Sequence, residues 1–113
     1  TVYKLVDNKH TVQYVGRTVN PDKRKQEHAK NPARANLQFE IIRTGLNRYE
    51  ARGLEQIMML HYHTLNTLNA MNNQINGISP KNRKLRRYMY AARGIAKYVD
   101  NQITDEILYW NCK

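Results

Sequence analysis

The chain has 113 residues, 41% of them hydrophobic, and this length suits one globular domain with a modest core. Nineteen Lys and Arg against nine Asp and Glu give a formal net charge of +10. Such a surface attracts polyanions, most commonly nucleic acid, although solubility or an acidic protein partner would also explain it. The single cysteine, Cys112, excludes an intrachain disulfide and a multi-cysteine zinc site. No apolar run approaches the roughly 18 residues of a membrane span.

Two short β-rich runs, residues 1–6 and 11–16, flank a polar turn and predict a β-hairpin. Because side chains alternate across a strand, Tyr3 and Tyr14 are expected on the same side of this hairpin. Taken alone, the two rings are best interpreted as a cross-strand pair that only packs.

The stretch from Asn20 to about Lys30 predicts a helix. Asparagine stands at the N-cap with proline and aspartate directly after it, and an Asn-Pro pair ends the pattern. Arg24 and His28 are four residues apart and therefore share one face. The helix has almost no apolar stripe, and a helix that buries little usually has another reason to be ordered. We therefore expect both side chains to converge with Tyr14 on a phosphodiester.

Residues 36–43 alternate in a way that predicts a third strand with one fully buried face. Asn47 and Glu50 form a capping-box pattern, and the helix that follows should run to about Tyr62. Glu55 borders the apolar stripe of this helix, where a carboxylate needs an arginine, a donor network or a metal as its partner. For a lone glutamate, a solvated side chain or an ion pair is the ordinary explanation, and it competes here with a metal ligand.

The C-terminal third of the chain is polar and basic. Asparagines are frequent over residues 64–77, which predicts a loop with a short helical or extended piece. Residues 81–98 predict a basic helix with one apolar face, and a short last helix should end near Trp110. The basic residues of the longer helix have tyrosines among them and could track a phosphate backbone. The alternative is a solvated charged face.

In chain order, these residues resemble the catalytic set of the GIY-YIG endonuclease family. The resemblance covers roughly residues 1–80. It is closest in the run YVGRT at 14–18, followed by Arg-x-x-x-His on a helix and by Glu55 on a later helix. The first motif departs from the family, since Thr-Val-Tyr stands in place of Gly-Ile-Tyr. Within the family, the run ending NGISPKN is similar to the C-terminal toxin domains of bacterial contact-dependent growth inhibition or similar secreted toxins.

The resemblance implies an α+β fold with a small, mainly antiparallel three-stranded sheet flanked by helices. Residues 1–113 are then a single nuclease domain, with a core over 1–80 and a basic helical extension over 81–113. The implied function is a metal-dependent endonuclease that hydrolyses phosphodiester bonds, with DNA favoured over RNA, acting as an antibacterial toxin domain. The alternatives are a ribonuclease toxin that acts on transfer RNA and a non-catalytic basic nucleic-acid-binding module.

The resemblance also assigns roles. The implied catalytic residues are Tyr3, Tyr14, Arg24, His28, Glu55 and Asn73. Glu55 would hold Mg²⁺ or Mn²⁺, and Arg24 would bind the phosphoryl oxygens through its planar fork. Tyr3 is the candidate general base, which requires the surrounding cations and the metal to lower its phenol pKa. Tyr14 would position the water or assist Tyr3, and His28 would shuttle a proton or hold the phosphate.

Four asparagines compete for the family's last polar position. Asn73 fits best and would orient the site by hydrogen bonds, while Asn69, Asn72 and Asn76 stay open. Contacts to backbone phosphate are expected from Arg17, Lys84, Arg86 and Arg87. As part of a larger toxin, the domain would be secreted or delivered into the target-cell cytoplasm. An acidic immunity protein would then cover its basic cleft in the producing cell.

Overall fold

A computed structural model describes residues 1–66, 71–73 and 77–110, and it has an α+β architecture. The strands are β1 (Val2–Val6), β2 (Val12–Arg17) and β3 (Gln38–Arg43), and the helices are α1 (Pro21–Ala29), α2 (Arg48–Tyr62), α3 (Leu85–Val99) and α4 (Asp105–Leu108). The three strands form one antiparallel sheet flanked by helices, which confirms the predicted fold class. Among the described residues, none of the helices has the length and apolar character needed to cross a bilayer.

β1 is the central strand of the sheet, with β2 on one side and β3 on the other. In this register Tyr3 lies opposite Gly16 of β2, and Leu5 lies between Tyr14 of β2 and Phe39 of β3. The rings of Tyr3 and Tyr14 are 6.3 Å apart on the same side of the sheet, as the alternation of the hairpin predicts. The rows of side chains on this face therefore carry the aromatic residues of all three strands.

The prediction that β3 has one fully buried face is wrong. Phe39 and Ile42 are only half-buried, and Ile41 is 51% exposed. The pairing with β1 shifts by one residue beside Tyr3, so that β3 carries an extra residue there. Ile41 pairs with Tyr3 and lies on the same face as Phe39, whereas Ile42 packs against the core. β3 is also an edge strand, which leaves its side chains incompletely covered.

α2 lies at the centre of the core, between the sheet and α3. Its side chains Leu54, Ile57 and Met58 are fully buried. A Cβ atom added to Gly53 would overlap the backbone carbonyl oxygen of Tyr88. The glycine therefore allows α2 and α3 to approach closely and sets the distance between them.

The helix starts follow local capping chemistry. The Asn20 side chain accepts from the backbone at the start of α1, and a complete capping box joins Asn47 to Glu50 at the start of α2, both as predicted. α3 begins at Leu85, four residues later than predicted. The Asn82 side chain accepts from the next-but-one backbone N–H at 2.8 Å and holds the preceding residues in a turn.

Candidate active site

A buried phenol–imidazole pair lies on the sheet face that α2 does not cover. Tyr3 Oη is 2.7 Å from Nε2 of His28, and the two residues are 0% and 7% exposed. Burial, followed by the positive charges of Arg34 and Arg24, lowers the pKa of His28 to about 4. Burial, reinforced by Tyr14, raises the pKa of Tyr3. Both groups are therefore neutral near pH 7, and we assign the phenol as the donor to Nε2.

Gly16 makes room for this pair. It lies opposite Tyr3 in the sheet, and a Cβ atom at this position would overlap Oη and Cζ of the phenol. Any side chain here would therefore displace the Tyr3 ring. Glycine is thus required in the Tyr-Val-Gly run to leave room for the Tyr3 ring, which the sequence pattern alone does not reveal.

α1 supplies the cationic side of the site. His28 is the one buried residue of this helix, and Arg24 lies one turn before it. Arg24 affects the pKa values of both Tyr3 and His28, which places its guanidinium beside the pair. Its Nε atom is buried without a hydrogen-bond partner, because the carboxylate of Glu27 is 3.8 Å away. Tyr14, Arg24 and His28, which were expected to converge, thus lie near one another, with Tyr14 edge-on to the imidazole at 5.1 Å.

Arg34 belongs to the same cluster and was missed from the sequence. Its guanidinium lies over the Tyr14 ring, with Cζ 4.3 Å from the ring centroid, and it donates to the backbone oxygen of Asn72 at 3.3 Å. Its Nε atom is also buried without a hydrogen-bond partner. Arg34 follows the helix-ending Asn-Pro pair in an irregular segment, and no periodicity or motif spacing marks it out.

Asn73 acts on the site through the backbone of β2. Its carboxamide accepts from the backbone N–H of Val15 at 2.9 Å, donates to the Val15 carbonyl at 2.8 Å, and accepts from Thr64 Oγ1 at 2.8 Å. Asn72 similarly donates to Gln13. Both side chains hold the outer edge of the strand that carries Tyr14. The other two candidates, Asn69 and Asn76, lie outside the described residues.

Glu55 lies near this cluster but does not contact its central pair. α2 covers the opposite face of the sheet, and the carboxylate reaches the edge of β2, where Oε1 accepts from Arg17 Nε at 3.3 Å. The side chain is 13% exposed. Burial raises the pKa of Glu55, while the charges of Arg17, then Arg52, then Arg24 oppose that rise. The charge of Arg24 acts on the Glu55 carboxyl less than the charges of Arg17 and Arg52 do.

The expected phosphate-contacting residues fall into two groups. Arg17 is 44% exposed and is paired with Glu55, so it helps to define the site rather than standing apart from it. Lys84, Arg86 and Arg87 are exposed at the start of α3, which packs chiefly against α2. Arg52 donates to the Tyr88 hydroxyl at 3.1 Å and so links this end of α3 to the turn of α2 before Glu55.

The side chains of the site could bind a metal ion only together with other ligands. Within the described residues, no group of three or more His, Cys, Asp or Glu side chains converges on a point. Glu55 offers one partly exposed carboxylate among several guanidinium groups. Mg²⁺ commonly binds to one or two carboxylates together with water and substrate phosphate oxygens. Glu55 therefore suits an ion that binds jointly with the substrate, and it does not suit a permanent all-protein site.

No protein-family model matches the chain, and comparison with curated proteins and with solved structures gives no match. The likeness to GIY-YIG endonucleases therefore depends on the motif residues themselves, and the function must be argued from the geometry.

Proposed function

We propose that this chain is a metal-dependent endonuclease that hydrolyses phosphodiester bonds, with DNA as its first expected substrate. One observation carries the proposal. A buried Tyr3–His28 hydrogen bond is flanked by two guanidinium groups, those of Arg24 and Arg34, whose Nε atoms are buried without hydrogen-bond partners. Buried unpaired donors are rare in native proteins, and each needs an explanation such as a water molecule, an ion or a ligand. A phosphate group would satisfy both through charge-assisted hydrogen bonds.

The Tyr3–His28 pair can move a proton without a free phenolate. As a general base, Tyr3 would need the surrounding cations and a metal ion to lower its phenol pKa, whereas burial raises that pKa in the protein alone. In the proposed relay, Tyr3 Oη would take a proton from an attacking water that reaches it in the substrate complex, while it passes its own proton to His28 Nε2. A bound phosphate anion beside His28 would raise the low pKa of the imidazole and make it a better acceptor.

The remaining groups have supporting roles in this proposal. Arg24 and Arg34 bind the non-bridging oxygens and stabilise the charge that develops on them. Glu55 would hold Mg²⁺ or Mn²⁺ together with the scissile phosphate, and the ion would supply Lewis-acid stabilisation. Arg17 orients the Glu55 carboxylate, and Asn73 fixes the strand that presents Tyr14.

Two variants test the assignment. Arg24→Ala and Glu55→Gln should each lower the rate of plasmid nicking at least about 100-fold, the effect of losing one transition-state contact. Arg43→Ala and Glu106→Gln change an exposed arginine and an exposed glutamate that are not among the residues assigned to the site, and they serve as matched controls. If the two site variants stay folded and cut like the controls, the site is wrong.

The two alternatives can be separated in the same assay. DNA and RNA present the same phosphates, so charge does not distinguish the two substrates. A ribonuclease would cut total RNA in place of plasmid. A non-catalytic binding module, which the net charge of +10 would also explain, should keep its affinity in the presence of a chelator. Chelation should abolish cutting if the proposal is right.

The wider biological role follows from the motif resemblance and is part of the same proposal. As an antibacterial toxin domain of a contact-dependent or secreted system, the chain would act in the cytoplasm of a target cell. The producing cell would need an acidic immunity protein matched to the basic surface. Co-expression with the product of a small acidic reading frame downstream should abolish cutting, and the lack of such a protein would count against the toxin role.

A further inference from the structure

A groove opens beside the Tyr3–His28 pair on the same face of the sheet. Leu5 and Phe39 lie along the sheet side of it, and Ala35 and Leu37 come from the irregular segment that follows α1. His28 lines it from α1. Its volume is about 400 Å³, within the range of roughly 300–1,000 Å³ that is usual for small-ligand pockets. The groove thus continues directly from the proposed catalytic pair.

We propose that this groove binds a nucleobase of an unpaired strand, next to the phosphate that the site cuts. The proposal builds on the proposed nuclease function and specifies its substrate. Aromatic rings already form a row here, because Tyr3 stacks on Phe39 with ring centroids 4.4 Å apart and an angle of 19° between the planes. A base in the groove contacts Phe39 from its half-buried side and joins this row.

The polar groups of the groove suit a nucleotide. Lys25 and Gln38 are exposed side chains that line it. An ammonium group can bind the neighbouring phosphate, while a carboxamide offers both a donor and an acceptor to the edge of a base. The apolar lining disfavours a phosphate inside the groove itself, since a charged group loses its hydration there.

Only an unpaired base can enter the groove. A base that is stacked and paired inside a duplex cannot enter a pocket, so the strand must be single, looped or locally opened. Duplex DNA would consequently be cut where base pairs open transiently or are mismatched. A single-stranded oligonucleotide should compete for the protein better than the corresponding duplex.

The test measures binding without cutting. Fluorescence anisotropy in the presence of chelator compares a short labelled oligonucleotide with a strand of equal length made of abasic nucleotides. The wild-type protein should bind the base-bearing strand roughly 5- to 150-fold more tightly, the range expected for one base stacked on an aromatic side chain. Ala35→Trp fills the groove from an exposed position and should remove most of this preference. Asn36→Trp, an exposed neighbour that does not line the groove, should retain it.

Each outcome has a definite meaning. Equal affinity of the wild-type protein for the two strands overturns the base pocket, as does a preference that survives in Ala35→Trp. A preference that Ala35→Trp removes and Asn36→Trp keeps supports it. Adding Mg²⁺ then tests the nuclease separately. Base-dependent binding without cutting would refute the proposed function and leave the pocket in place, and cutting without base dependence would do the reverse.

Discussion

Replacing Gly16 with alanine should damage both the stability and the activity of the protein. The new Cβ atom would lie 2.8 Å from Cε1 of Tyr3 and nearer still to Cζ and Oη, whereas such atoms essentially never approach closer than 3.0 Å. Tyr3 is 0% exposed, so its ring cannot swing into solvent. The ring must move within a packed layer bounded by Phe39 and Tyr14, and its hydrogen bond to His28 must lengthen or break.

The expected size of the effect follows from these contacts. Overpacking a core typically costs about 1–3 kcal/mol of unfolding free energy, and a lost hydrogen bond adds about 1 kcal/mol. A reacting group displaced on the order of 1 Å can cost 100-fold in rate. Urea unfolding should therefore show Gly16→Ala to be destabilised by roughly 2–4 kcal/mol. Plasmid nicking by the folded fraction should fall about 100-fold.

The same substitution elsewhere in the chain provides the control. Gly94 lies exposed in α3 with no atom within 4 Å of an added Cβ, so Gly94→Ala should stabilise the protein by roughly 0.5–1 kcal/mol through helix propensity. Tyr3→Leu removes the clashing ring atoms, and Gly16→Ala should cost little in that background. Wild-type stability and activity in Gly16→Ala, or a full cost in the Tyr3→Leu background, would refute the steric explanation.

Three further results are expected. His28 has a folded-state pKa of about 4 against an ordinary 6.5, so stability should decline as the pH falls from 6.5 to 4, by at most about 3 kcal/mol. Unfolding curves of His28→Gln should lack that component, and parallel profiles would contradict it. Asn73→Ala should lower the free energy of unfolding by roughly 3 kcal/mol, because the backbone N–H and C=O of Val15 both lose their hydrogen-bond partner. A loss below about 1 kcal/mol in urea unfolding would show that water replaces the carboxamide. Lys84→Ala and Arg87→Ala should each reduce the salt slope of nucleic-acid binding by about 0.7–0.9 with kcat unchanged, and an unaltered slope would remove α3 from the interface.

Features set by neighbouring residues were predictable from the sequence. The start of α1 at Asn20 and the capping box of Asn47 and Glu50 depend on side chains that bond to backbone a few residues away. The side of the hairpin that carries Tyr3 and Tyr14 depends only on alternation within short strands. These local rules, together with the order of the motif residues, were sufficient for the fold class and for most of the proposed site.

Features set by distant contacts were not predictable. Nothing in the alternating sequence of β3 signals its one-residue shift against β1, or the exposure of Ile41 on this edge strand. Arg34 enters the site because an irregular segment brings it over Tyr14. The pKa of Tyr3 shifts upward because burial outweighs the nearby positive charge, and that balance depends on packing rather than on composition.

The bond between Asn73 and Val15 joins residues 58 positions apart, and this separation bears on the order of folding events. The hairpin and α1 can assemble from the first thirty residues by short-range contacts, which form early. The outer edge of β2 stays unpaired at Val15 until residue 73 has been synthesised and has returned to it. A nascent chain that already contains Tyr3, Arg24, His28 and Glu55 therefore still lacks the brace on its edge strand. The proposed site is completed late, by a side chain whose hydrogen bonds are all committed to holding backbone and a neighbouring hydroxyl.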